Sequence, residues 1–334
     1  MSTQVPPRAA ATAATREPHH TPGKESADRR QVTQGRTAAI LLVPTIILLA
    51  VVIVYPVVNA IIMSFQKDAG LVNGFFVQGG AAGFDNYAHW LAQQCNGQAC
   101  PPGTLGSQFW NAFGTTFFFS IVTVALETVL GFWMAIIMAR TFRGRSAVRA
   151  AVLVPWAIPT AVTAKLWFFI FAVDGIANSL FGTHILWTGS EWPAKWAIII
   201  SDVWKTTPFM ALLILAGLQL IPDEVYEAAK VDGASAWQRF TQITLPLVRP
   251  ALMVAILFRM LDALRMFDLP YIMTQGGNNT TTLSILVVDQ IRQGFNSAAA
   301  LSTITFLVIF IVAFIFVRFL GANAVGAATS AGRK

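Results

Sequence analysis

Asp202, Trp204, Lys205, Thr206, Thr207 and Phe209 fall inside one long apolar stretch, and Arg259, Asp262, Arg265 and Asp268 inside the next. A charge within a membrane span is costly unless paired or wet, so such groups face a bundle interior or an aqueous pathway. Their types suit binding rather than bond breaking. Trp204 and Phe209 offer flat apolar faces to a ring, while Asp202, Lys205 and Thr206 offer hydrogen bonds to hydroxyls. The plainer alternatives are interfacial anchoring for Trp204, core packing for Phe209, and charges that only neutralise one another and lock helices together. Steps of three let Arg259 pair with Asp262, and Asp262 with Arg265. A rise of about 1.5 Å per residue from Pro250 puts Arg259 about 14 Å and Asp262 about 18 Å into a core about 30 Å thick, which makes these two the better pathway candidates. In a continuous helix about 100° per residue turns Arg259 and Asp268 to opposite sides, so the four charges are not expected to line one pocket. Pro208 removes a backbone hydrogen bond and predicts a kink of the kind transporters place around substrate.

The elements that position these residues follow from composition. Of 334 residues, 55% are hydrophobic and 12% charged, against about 25% charged in soluble domains. The chain reads as an all-α integral membrane protein. Its net charge of +7 is distributed by membrane side rather than gathered on one face, which excludes nucleic-acid binding. Residues 1–36 are poor in large apolar side chains and read as a disordered tail without a signal-peptide cleavage site. Residues 37–321 form the membrane domain and 322–334 a C-terminal tail. Six transmembrane helices are expected, at about 38–65, 109–139, 150–172, 194–221, 250–274 and 297–320, each long enough to cross the core. Arginines and lysines concentrate in the N-terminal tail, in 140–149, in 230–249 and at the C-terminus, whereas the opposite loops hold Lys67, Lys195 and Arg292. The positive-inside rule then puts both termini in the cytoplasm.

The cytoplasmic loop 222–247 is ordered in composition. Small residues Ala228, Ala229, Gly233 and Ala234 let a helix backbone approach a partner closely. Pro222, Asp223 and Glu224 start a helix, with acids near the positive end of its dipole. Gly233 permits a left-handed residue after it. Leu245, Pro246 and Pro250 are expected to end the loop and begin the next span. In the outer loop, Cys95 and Cys100 either form a disulfide, worth about 2 kcal/mol by loop entropy, or remain free thiols; a zinc site lacks further ligands. Asn278 and Asn279 begin overlapping Asn-x-Thr sequences, which have meaning only where a glycosylating machinery is present.

Glu227, Ala228, Ala229, Asp232, Gly233, Ala234, Leu245 and Pro246 match without a gap the EAA motif of membrane subunits of ATP-binding-cassette (ABC) importers. The segments VWKTTPFMALLILAGLQLIPDEVYEAAKVDGASAW and LFRMLDALRMFDLPYIMTQGG resemble the sugar-permease, maltose-type branch, and WKTTPFM, VDGASAW and FRMLDALRMFD its actinobacterial trehalose permeases. The resemblance implies a type I importer permease fold in which the loop is a coupling helix docking on an ATPase. It also implies a disaccharide pathway lined by Asp202, Trp204, Lys205, Thr206, Phe209, Arg259, Asp262 and Ala263. Charged groups stand at several positions that are neutral in maltose permeases, and Asn278 stands where many members have proline. The implied partners are a homologous second permease, two ABC ATPase subunits, which would bind ATP and Mg, and an extracytoplasmic sugar-binding lipoprotein. No G-x-x-x-x-G-K-[ST] loop occurs, so the chain is not expected to be an ATPase, and no cofactor or metal is expected in it. Alternative substrates are a maltose-like oligosaccharide or a glycerol-phosphate. An enzyme is disfavoured because His19, His20, His89 and His184 lie outside the spans and no catalytic set is visible. A secondary carrier leaves the loop unexplained.

Overall fold

A computed structural model describes residues 40–72, 75–95 and 97–331. The expected disordered tail 1–36 lies outside them. The chain divides into a unit ending at Val58 and a second from Asn59 onward. Helix α1, Ile40–Ser64, is apolar throughout. After it come an antiparallel hairpin, β1 (Gln66–Val72) and β2 (Phe75–Ala81), helix α2 (Asp85–Leu91) and a two-residue ladder, β3 (Gln94–Cys95) with β4 (Gln98–Ala99). A Cys95–Cys100 disulfide closes that ladder and decides between the two expectations for these cysteines.

Helix α3 (Phe109–Ala139) buries Thr116, Ser120, Thr123 and Glu127 in the middle of its inward stripe, among Phe119, Val124 and Phe132, while Ile121, Val129, Leu130 and Trp133 face outward. Lipid solvates the apolar outer face, and the buried polar groups must find partners within the bundle. The third span is broken. Helices α4 (Arg145–Ala157) and α5 (Thr160–Ile170) meet at a 90° bend. Pro159 disfavours helical backbone at the residue before it, and Ile158 is extended. A short helix α6 (Ile176–Phe181) follows. Helix α7 (Glu191–Leu218) packs on α3, and Pro208 sits inside it. At Gly217 a Cβ would overlap Ala251, so glycine there permits the close crossing of α7 and the fifth span.

The loop helix α8 (Asp223–Val231) leads to a second helical stretch that begins at Ala236, well before Pro246. That stretch comprises α9 (Ala236–Arg239), a π-turn over Phe240–Thr244 and α10 (Leu245–Ala263). Leu245 and Pro246 therefore lie inside a helix rather than at the end of a loop. The wider turn, in which the Leu245 amide reaches the Phe240 carbonyl, falls where proline is about to remove a donor. At its other end this span stops at Ala263, not Thr274. Residues 264–267 break it, and α11 (Asp268–Thr274) is a separate helix. Helix α12 (Leu283–Ile291) and the last helix, α13 (Phe295–Ala331), complete the chain; α13 runs past the expected Leu320. Asp68 of the hairpin accepts the amides of Asn296 (2.8 Å) and Ser297 (3.1 Å) at the start of α13, pairing donors that a helix N-terminus leaves open.

Two apolar clusters bracket the middle of the bundle. One joins Phe119 to Ile198, Ile199, Leu269 and Met273; the other joins Phe132 to Met210, Ile214, Val248 and Ala255. Between them, at the level of Glu127 and Asp202, lies a polar layer.

Candidate functional site

Arg259 organises the polar layer. Its Nε donates to Glu127 Oε2 (2.5 Å) and its Nη2 to Glu127 Oε1 (3.0 Å), a two-pronged pairing across α3 and α10. Nη2 also donates to Asp202 Oδ2 on α7, and Nη1 to Asp262 Oδ2 (2.9 Å) on its own helix. Thr206 Oγ1 stands 2.6 Å from both Glu127 Oε1 and the Asp202 carbonyl. The Arg259 side chain is 2% exposed and that of Glu127 is fully buried, whereas Asp262 is 65% exposed. The network thus begins in the bundle interior and ends at an open carboxylate. Charges at this depth persist because each meets an opposite charge or a hydrogen bond.

That carboxylate borders a recess of about 120 Å³, lined by Thr160, Asp202, Lys205, Thr206, Arg259 and Asp262 and by the chain from Arg265 to Leu269. Arg259 and Asp268 therefore line the same recess, against the expectation drawn from a continuous helix. The break after Ala263 cancels that projection, because the chain turns back instead of rotating onward. Thr282 steadies the turn: its hydroxyl donates to the Met266 carbonyl (2.8 Å) and accepts from the Ile285 amide at the start of α12. The recess is smaller than the roughly 300 Å³ or more typical of ligand pockets, as a surface completed by another chain would be.

Lys205 has a structural bond as well as a place on the lining. Its Nζ donates to the Ile158 carbonyl (2.6 Å) at the end of α4, where a cation favours the negative end of a helix. Trp204, Phe209 and Ala263 do not line this recess. Trp204 is about one-third exposed and meets Trp167 edge to face (5.7 Å), Phe209 stacks on Trp156 (5.8 Å), and Ala263 is buried in an apolar cluster. Reading the polar spans one at a time missed Glu127. The available signal was that it is the lone charge in the 31-residue helix Phe109–Ala139, which obliges it to find a partner.

The loop after α11 is pinned by asparagines. Asn278 and Asn279 are both left-handed, at φ +55° and +61°. Asn278 Nδ2 donates to the Thr188 carbonyl (2.7 Å), and Asn279 Nδ2 to Glu191 Oε1 (2.8 Å) at the start of α7.

The second candidate surface is the loop. Helix α8 ends in a Schellman turn: the Ala234 amide reaches the Ala229 carbonyl (2.9 Å), the Gly233 amide reaches the Lys230 carbonyl (3.1 Å), and Gly233 has φ +78°. Ser235 then caps α9 in a reciprocal box with Gln238, and Arg239 Nη1 donates to the Ala234 carbonyl (2.7 Å). With its own backbone satisfied, the loop leaves Glu227, Ala228, Asp232, Gly233 and Trp237 exposed, and Ala229 and Ala234 half-buried. Val231, at the end of α8, is 88% exposed.

Comparisons with known proteins bear on the family and the fold. A family model described as "Binding-protein-dependent transport system inner membrane component" matches residues 127–324. The chain is similar to the trehalose transport system permease protein SugA of Mycobacterium tuberculosis (strain ATCC 25618 / H37Rv), 41% identical over 255 residues that cover 72% of this chain and 83% of the relative. It is also similar to the trehalose/maltose transport system permease protein MalF of Thermococcus litoralis, 36% identical over 293 residues covering 85% and 94%. A crystal structure of a bacterial ABC transporter involved in alginate import shares the fold, with TM-score 0.70 over 88% of this chain and 98% of that one at 21% identity. These matches, on a chain whose described residues include five helices long and apolar enough to span a membrane and a bent pair able to make a sixth, identify a multi-pass membrane protein of the binding-protein-dependent transport system inner membrane component family, a non-enzymatic permease subunit of a sugar ABC importer.

Proposed function

We propose that this subunit forms half of the translocation pathway for a disaccharide, trehalose, delivered by an extracytoplasmic sugar-binding lipoprotein. The other half comes from a homologous second permease, and two ABC ATPase subunits that bind ATP and Mg drive the cycle. The observation that carries the reading is the exposed, self-capped loop between the fourth and fifth spans, with small residues where a partner must approach closely. Both termini and this loop face the cytoplasm, in keeping with the distribution of Lys and Arg.

ATP-driven closure of the ATPase pair would draw the loops of the two permeases together, and rocking of the permeases would turn the pathway from inward to outward access. Sugar then enters from the binding protein, and hydrolysis returns the recess to the cytoplasmic side. The names of the Mycobacterium and Thermococcus relatives favour trehalose.

The test is ATP hydrolysis by the complex that copurifies with this chain, with its binding protein and a panel of disaccharides added. Stimulation by trehalose supports the reading; stimulation by another sugar alone replaces the substrate, and failure of any ATPase to copurify removes the docking role of the loop. In the same assay Gly233→Trp, which strains the turn at φ +78° although nothing lies within 4 Å of a Cβ there, is expected to insert normally because it lies outside the spans, and to lose stimulated hydrolysis.

A further inference from the structure

Within the recess, Arg259 and Lys205 are engaged by other groups of the chain, while the Asp262 carboxylate stays open. An arginine has five N–H donors, and Arg259 directs them at Glu127 twice, at Asp202 and at Asp262. Buried to 2% exposure, it has almost nothing left to offer a substrate. Lys205 points its ammonium at the Ile158 carbonyl. The lining charges that remain exposed are Asp262, Asp268 and Arg265, two acids to one base, and Arg265 Nε is itself engaged with the Leu261 carbonyl (3.2 Å). Asp262 accepts from Arg259 through Oδ2; among the described residues no hydrogen bond engages its Oδ1.

The geometry points to a charge filter. Asp262 is a specificity-determining residue that accepts hydrogen bonds from the hydroxyls of an uncharged sugar and disfavours sugars bearing phosphate, sulfonate or carboxylate. Glu127 is a positioning residue: by holding Arg259 against α3 it keeps a guanidinium from recruiting anions and aims Asp262 into the recess. The inference deepens, and rests on, the reading of this recess as a sugar site. A hydroxyl donating to an ionised acceptor makes one of the stronger hydrogen bonds, while like charges brought together away from bulk water repel strongly.

The experiment uses the permease–ATPase complex in detergent without binding protein, so that no upstream selection intervenes. Radiolabelled trehalose is displaced by trehalose or by trehalose 6-phosphate, and radiolabelled maltose by maltose or maltose 6′-phosphate. In the unaltered complex each phosphate should compete at least about tenfold more weakly than its parent sugar, the scale of one charge-assisted contact. Asp262→Asn should weaken the parent sugar about tenfold and shrink the gap to under about threefold, whereas Asp262→Glu should keep the gap. Glu127→Gln should tighten the phosphate about fivefold and change the parent sugar less than about twofold, a split that loss of folding does not produce. Should that buried variant not assemble, the two substitutions at exposed Asp262 decide the matter. Equal competition by sugar and phosphate, or a gap that survives Asp262→Asn, overturns the filter. Binding of maltose with its gap, and no binding of trehalose, supports the filter and removes trehalose as substrate. Failure of either sugar to bind while sugar-loaded binding protein still stimulates hydrolysis overturns the filter and leaves the importer reading standing.

Discussion

Glu127 and Arg259 form a pair that neither helix could carry alone. Removing one member of a buried charge network leaves the others unpaired, at a cost of about 3–5 kcal/mol. Arg259→Met, which leaves Glu127 and Asp202 facing each other without their shared cation, is therefore expected to lower the detergent melting temperature sharply. The double substitution Glu127→Gln with Arg259→Met should be less damaging than the two single losses added together. Additivity within about 0.5 kcal/mol in that thermal cycle would show that the residues act independently. At this scale the sequence was half legible. The polarity of Asp202, Lys205, Thr206, Arg259 and Asp262 was plain, the recess does gather them, and the expected Arg259–Asp262 pair forms, but the pairing with Glu127 was not legible, because Glu127 lies 132 positions from Arg259. Lys205 was read as a hydroxyl donor, since nothing local reveals that a carbonyl of a broken helix 47 positions away lies within its reach.

Among the elements, breaks matter more than spans. Six apolar stretches were legible from hydropathy, yet the stop after Ala263 and the 90° bend of the third span were not. An apolar run looks the same whether the backbone continues or turns back, and only Pro159 marked the bend. The outer loop shows the reverse case, in which a single residue type carries the geometry. Asn278 is left-handed, a region open to asparagine but closed to proline, whose φ is fixed near −65°. Members with proline there must route this loop differently. Asn278→Gly keeps the backbone and loses the bond to Thr188, a cost of about 1 kcal/mol. Asn278→Pro also breaks the turn and should lower the melting temperature markedly more. Equal melting of the two variants would mean that this backbone conformation does not hold the loop.

At the largest scale, a polar layer lies between two apolar clusters from Asn59 onward, and large apolar side chains are also exposed on the outer faces. The distribution of Lys and Arg assigns sides, and the disulfide provides an independent check. Cys95 and Cys100 lie in the loop assigned to the outside, and they are the only cysteines in the chain. After mild reduction, a membrane-impermeant maleimide should label them in right-side-out vesicles and not in sealed inverted ones. Labelling only in inverted vesicles would reverse the topology and take the loop 222–247 away from the cytoplasm.

The closed hydrogen-bonding of that loop has a further meaning. From Asp223 to Arg239 its turns are satisfied by its own Schellman bonds, capping box and arginine, while the recess draws its support from α3, α7 and α12. The two surfaces hardly share supporting bonds, so the loop behaves as a cassette. Its exposed face can change without retuning the recess, and the recess can change without disturbing the loop.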